Sequence, residues 1–167
     1  NRRILLIISG GIAAYKSLDL IRRLRERGAE VRCVLTESGA KFVTPLSVSA
    51  ISGHEVYDDL WALTDDGKMG HIRAAREADL FIVAPASANL IARMVHGLAD
   101  DLAATLLLAS DKPAMIAPAM NVEMWRNEAT QANIALLEKR GVPRIGPAPG
   151  LMACGEGLFC AFNILGA

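Results

Sequence analysis

Apolar residues in this chain come in short runs separated by stretches of helical length, and the period changes from one to the next. Ile4–Ile8 is an unbroken aliphatic run and reads as a strand buried on both faces. From Ala13 to Arg27 the spacing is helical. Ala14, Leu18 and Ile21 share one face, Ala13, Leu20 and Leu24 lie beside it, and Gly28 closes the segment. Glu30–Leu35 is the second strand, and Ser38–Ile51 is helical in two pieces because Pro45 ends one and opens the next. Glu55–Tyr57 reads as a short strand before the polar stretch Asp58–Gly70, which contains Asp65-Asp66-Gly67. His71–Glu77 makes two helical turns and Leu80–Ala84 a buried strand. Ala88–His96 and Asp101–Ala109 are helices, the second opening on acids that suit a helix N-terminus. Ala114–Ala117 is a strand, Glu128–Arg140 a helix ended by Gly141, and Val142–Ile145 the last strand. Beyond it, Gly146-Pro147-Ala148-Pro149-Gly150 is turn-rich and has no period.

Strands alternating with helices, each strand apolar throughout, predict the α/β class: a three-layer, doubly wound parallel sheet. The 167 residues make one domain, 1–167, at ~150 residues per domain, and no linker or repeat divides them. Eighteen Lys and Arg balance eighteen Asp and Glu without a basic stripe, so nucleic acid is not an expected partner. No apolar run approaches the ~20 residues of a membrane span. The run after Arg2-Arg3 also stops too early for a signal peptide. Three cysteines without a CxxC pair argue against a disulfide framework or a zinc site, and the expected compartment is the reducing cytoplasm.

In such a sheet ligands bind at the carboxyl ends of the strands, so the strand-to-helix junctions are where chemistry is expected. At the first, Ser9-Gly10-Gly11-Ile12, two glycines let the backbone approach a ligand, and the following helix offers N–H groups to an anion. A plain tight turn is the competing explanation. The pattern is neither a P-loop nor G-x-G-x-x-G, and it suits a mononucleotide phosphate better than a pyrophosphate. At the second junction, Thr36 and Ser38 are either phosphate ligands or helix caps, and Glu37 stands where a dinucleotide enzyme holds ribose. The third and fourth junctions echo one another as Ala84-Pro85-Ala86-Ser87-Ala88-Asn89 and Ala117-Pro118-Ala119-Met120-Asn121. Small Ala residues keep the surface low enough for a flat ring, while Ser87, Asn89 and Asn121 supply polar atoms. Capped helix starts would produce the same residues. His71 opens a helix near these strands, and histidine is the residue type suited to proton transfer near neutral pH. Cys33 sits inside a strand as a small buried hydrophobe, whereas Cys154 lies in a Gly-rich stretch of the sort that folds over pockets.

Taken together, Ser9–Lys16, Gly70-His71-Ile72, Ala84–Asn89, Pro118–Trp125 and Ala153-Cys154-Gly155 resemble the flavin-containing cysteine decarboxylases, most specifically those acting on phosphopantothenoylcysteine. In bacteria these form the N-terminal part of a bifunctional coenzyme A biosynthesis protein. The resemblance runs from the first strand to about Gly157 and implies a flavodoxin-like Rossmann fold binding FMN. It implies homotrimers or dodecamers with sites between subunits, and a fused or separate synthetase domain as partner. The implied reaction converts 4′-phospho-N-pantothenoylcysteine to 4′-phosphopantetheine through thiol oxidation, CO₂ loss and re-reduction.

By the same resemblance His71 is the base for thiol oxidation, Asn121 holds the substrate carboxylate beside Met124 and Ala153, and Cys154 is the proton donor. The implied FMN contacts are Ser9, Gly10, Gly11, Ile12, Thr36, Ser38, Phe42, Pro85, Ala86, Ser87 and Asn89, with residues 146–167 as a substrate lid and no metal. One departure stands out. Where the family continues Ala-Cys-Gly with a glycine-rich run ending in Gly-Arg-Met-x-Glu-Pro, this chain has Leu158-Phe159-Cys160-Ala161-Phe162-Asn163. Other flavin members of the fold (peptidyl-cysteine decarboxylases, flavin prenyltransferases), a non-catalytic FMN-binding subunit and an NAD-dependent oxidoreductase are the competing readings.

Overall fold

A computed structural model describes residues 2–60, 70–151 and 157–160. Its centre is a parallel sheet of four strands, β1 (Arg3–Ile8), β2 (Glu30–Leu35), β3 (Leu80–Ala86) and β4 (Ala114–Asn121), ordered β2-β1-β3-β4. Strand residues alternate between two apolar cores, as the pleat requires. Leu5, Ile7, Phe81, Val83 and Ile116 face one core. It is covered by α3 (Gly70–Glu77), α4 (Ala88–His96), α5 (Leu102–Leu108) and α7 (Glu128–Lys139). Ile4, Leu6, Ile8, Ile82 and Ala84 face the other, beneath α1 (Ala14–Glu26) and α2 (Pro45–Ser52). Burial on both sides explains why these strands are aliphatic throughout rather than alternating. Each fully buried Leu or Ile contributes about 1.5–3 kcal/mol. Cys33 is part of the second core, where burial pushes its thiol up to about 12 and leaves it unreactive at neutral pH.

Helix ends follow the cap chemistry of their sequences. Thr44, Ser87 and Asp101 each accept a backbone N–H from the third residue on, and Gly53 and Gly97 close α2 and α4 in the left-handed conformation. Pro45 is the first residue of α2, preceded by a 3-10 turn over Gly39–Lys41, which is the two-piece reading of that segment.

Four expectations need correction. The strand over Glu55–Tyr57 reduces to one bridge between Tyr57 and Val34, and the strand over Val142–Ile145 to one bridge between Arg144 and Ile116. The stretch after Gly146 is not aperiodic turn. Ala148–Leu151 is a strand, β5, paired antiparallel with β6 (Gly157–Cys160), and β6 pairs antiparallel with the end of β4. The backbone ladder to the end of β4 carries this pairing. Strand β4 is also longer than the run Ala114–Ala117 indicated, continuing through Pro118 to Asn121. Asp65-Asp66-Gly67, Ala153, Cys154 and residues 161–167 lie outside the described residues. Among the described residues no helix is long and apolar enough to cross a membrane.

Candidate functional site

Strand order reverses between β1 and β3: the chain leaves β1 for β2 on one side and reaches β3 on the other. Loops after these strands therefore part at the carboxyl edge and leave a crevice there. A cleft of about 280 Å³ opens at this point, lined by Ser9, Gly10, Thr36, Glu37, Ser38, Ser87, Asn89, Leu90, Arg93, Asp100 and Asp101. Six of the candidate cofactor residues thus meet in one place: Ser9, Gly10, Thr36, Ser38, Ser87 and Asn89.

Ser9 is buried and joins the two strands at the crevice. Its hydroxyl donates to Pro85 O at 2.6 Å and accepts from Ser87 N–H at 2.9 Å. Deeper in, the Ser17 hydroxyl donates to Ala84 O at 2.8 Å, so α1 and the end of β3 are tied together. Gly10 lies so close to the second junction that a Cβ there would stand 2.5 Å from Ser38 Cβ. Gly11 has φ +145°, and nothing lies within 4 Å of the space a Cβ would take. The turn therefore presents bare backbone on its outer side, as a ligand's close approach requires. Within it, Ala14 N–H donates to Gly11 O and Lys16 N–H to Ala13 O. The N–H groups of Gly10, Gly11 and Ile12 have no acceptor among the described residues.

The hydroxyls divide between capping and the cleft. Thr36 Oγ1 accepts Gly39 N–H at 3.0 Å and Ser87 Oγ accepts Leu90 N–H at 3.2 Å, so both are caps. Ser38 makes no side-chain cap to the turn it opens. Ile12 and Phe42 are exposed beside the cleft-forming segments, while Pro85 and Ala86 are buried in the strand end below Ser87.

The sequence reading missed Arg93, Asp100 and Asp101. Arg93 Nη1 pairs with Asp100 Oδ1 and lies 3.4 Å from Asp101 Oδ2. Asp101 Oδ1 also accepts Ala104 N–H at 2.7 Å as the cap of α5. The available signal was the Asp100-Asp101 pair itself, which reads along the chain as a helix start alone. Three carboxylates against one guanidinium make this wall acidic. Hydroxyl and N–H donors suit it, and a phosphate suits the bare N–H groups of the glycine turn.

Asn121 stands one strand further along, outside this cleft, at the carboxyl end of β4. It caps α6 (Val122–Arg126), its Oδ1 accepting Met124 N–H at 2.8 Å. With the oxygen occupied, the amide NH₂ is left to donate outward, the correct polarity for a carboxylate. Met124 is exposed in the first turn of that helix. Strand β6 brings Leu158 opposite Asn121, and β5 lies on the far side of β6 with Leu151 opposite Gly157. His71 is the second residue of α3, whose far end is fixed by Asp79 N–H donating to Arg3 O at 2.8 Å. That contact lies at the start of β1, so α3 runs against the strand and opens about 12 Å back toward the carboxyl edge.

Among the described residues there is no group of His, Cys, Asp and Glu able to hold a metal ion. The family model described as Flavoprotein matches residues 1–163. The coenzyme A biosynthesis bifunctional protein CoaBC of Vibrio vulnificus (strain YJ016) is 54% identical over 156 residues, 93% of this chain and 39% of that protein. The chain thus spans about two-fifths of the length of such relatives. A cysteine-to-serine variant of PPC decarboxylase complexed with pantothenoylaminoethenethiol superposes with TM-score 0.79 at 34% identity, covering 96% of this chain and 89% of that one. The FMN-dependent cysteine decarboxylase SpaF gives 0.84 at 29% identity, covering 99% and 93%. A match over nearly the whole chain, and a crevice where the sheet reverses, make this protein a member of the flavoprotein family.

Proposed function

We propose that this chain is an FMN-dependent decarboxylase of 4′-phospho-N-pantothenoylcysteine, working in coenzyme A biosynthesis. The observation that carries the reading is the convergence of the Ser9-Gly10 turn, Ser38, Ser87 and Asn89 in the switch-point cleft, one strand from the outward amide of Asn121. Similarity to CoaBC and to PPC decarboxylase supplies the substrate. The residues present fit FMN: a bare glycine turn with unpaired N–H groups for its phosphate, and an acidic wall for hydroxyls and ring N–H groups.

An α-carboxylate leaves slowly because the carbanion it would form has no acceptor. FMN when bound supplies a two-electron sink that takes a hydride from the carbon bearing the thiol and later returns it. In this reading His71 accepts the thiol proton as the substrate becomes a thioaldehyde. The Asn121 amide holds the carboxylate until its C–C bond breaks, releasing CO₂ and leaving an enethiolate. Cys154 then delivers the proton that takes the place of CO₂ on carbon, so the net change is CO₂ replaced by H⁺. A neighbouring PPC decarboxylase holds an ethenethiol when a cysteine is changed to serine, which supports a cysteine acting after CO₂ loss.

The reading extends to self-association. The cleft is at the small end for a ligand of this size, ~300–1,000 Å³. Four exposed apolar residues, Ile12, Tyr15, Phe42 and Leu46, stand on the segments that follow β1 and β2, where a second copy would complete the site. The bifunctional name of CoaBC supports a synthetase domain, fused or separate, as the partner in the pathway.

The test is turnover. FMN-loaded protein given phosphopantothenoylcysteine should release CO₂ and form phosphopantetheine in equal amounts. Release only from a peptide ending in cysteine, or no release at all, would overturn the assignment.

A further inference from the structure

Arg144 follows α7 and makes the bridge to Ile116 on the edge of β4. Its guanidinium reaches two helices and the chain that leads into β5. Nε donates to Glu138 Oε1 on α7 at 2.6 Å. Nη1 donates to Gly146 O at 2.6 Å, two residues before β5 begins. The guanidinium carbon lies 5.8 Å from the centre of the Trp125 ring, on the helix that Asn121 caps. Trp125 is held in turn: its carbonyl accepts Gln131 Nε2 at 2.5 Å, and its ring packs against the core of α4 and α7.

We propose that Arg144 is a positioning residue that fixes the β5–β6 hairpin against the Asn121 helix. The planar fork is what makes one side chain sufficient. Two separate nitrogens donate to Glu138 and Gly146 while the charge lies over the indole ring, a combination that an ammonium cannot reproduce. Glu138 holds the guanidinium on the rigid scaffold, so the chain entering β5 and the helix after Asn121 take their positions from the same group. The hairpin is held by the pairing of β6 with β4 and by the approach of α6 to β6, and the Arg144 contact adds a tie at its root. The inference rests on the proposed decarboxylase reading for its effect on turnover, and on the contacts alone for its effect on the hairpin.

Two measurements on Arg144→Gln separate these. Hydrogen exchange of peptides covering 148–160 should speed up on the order of tenfold, as a charge-assisted bond to the root is lost, with β1 peptides unchanged. With substrate, CO₂ release should persist while phosphopantetheine falls behind it, and Arg144→Lys should recover part of that gap. FMN affinity and Tm should stay near those of the parent. Parent-like exchange in the hairpin would overturn the anchor, whether or not the parent turns over. So would equal CO₂ and phosphopantetheine from Arg144→Gln, or a loss of flavin and Tm in parallel with turnover. Failure of the parent itself to release CO₂ counts against the decarboxylase reading and leaves the exchange result to decide the anchor.

Discussion

At the scale of single residues, the site is built from side chains that do two jobs. Ser9 is both the end of β1 and the clasp that holds the start of the Ser87 junction. Ser9→Ala leaves Pro85 O and Ser87 N–H without their partner, and should cost about 1–3 kcal/mol in urea unfolding. Asn121 likewise caps α6 with its oxygen and keeps its NH₂ for a ligand. Aspartate caps as well as asparagine but has no donor. Asn121→Asp should therefore keep the parent's Tm and circular dichroism while CO₂ release falls by orders of magnitude, because a carboxylate would face a carboxylate. Neither double role is legible in the sequence. In the sequence Thr36, Ser38 and Ser87 each fit both a cap and a ligand, and only geometry assigns Thr36 and Ser87 to capping. Arg93 and Arg144 gave no signal, because each acts on partners brought near by the fold: Asp100 and Asp101 for one, Trp125, Glu138 and Gly146 for the other.

At the scale of elements, legibility tracks burial. Strand β2 and helix α4 have the bounds that their apolar patterns give, since each is fixed by its own residues against a core. The start of β5 reads as turn because Pro147, Pro149 and Gly150 are turn formers, and the β4 residues that β6 pairs with lie about forty residues earlier. The glycine turn is the element most exposed to test. Gly10→Ala drives a Cβ into Ser38 Cβ, so it should destabilise the protein by about 1–3 kcal/mol and weaken flavin binding. Adding Ser38→Gly removes that contact and should restore part of the stability. The recovery would be incomplete, because Ser38 C lies 3.2 Å from the same point. Chemical denaturation of the single and double variants measures both.

At the scale of the whole molecule, the sheet works as a platform with its ligand groups at the carboxyl edge and its tethers at the other. One tether joins the start of β1 to the end of α3: Asp79 accepts the backbone N–H of Arg3 at 2.7 Å and meets its guanidinium at 3.3 Å. These bonds hold the Asp79 carboxyl below the usual carboxylate range, the N–H first and the guanidinium next. Because the folded value is the lower one, the stabilisation is complete above the ordinary value of ~3.9 and disappears as pH falls through the folded value. Asp79→Asn should unfold at lower urea than the parent at pH 7, and the two should converge as pH falls through the folded value of Asp79. The account as a whole stands on the carboxyl-edge cleft taking an isoalloxazine mononucleotide. Titration of the purified apoprotein with FMN, followed by flavin fluorescence, measures this most directly. It should show saturable quenching with one FMN per chain, shifted to higher FMN concentration in Gly10→Ala; unchanged fluorescence across the titration would contradict the assignment of the cleft.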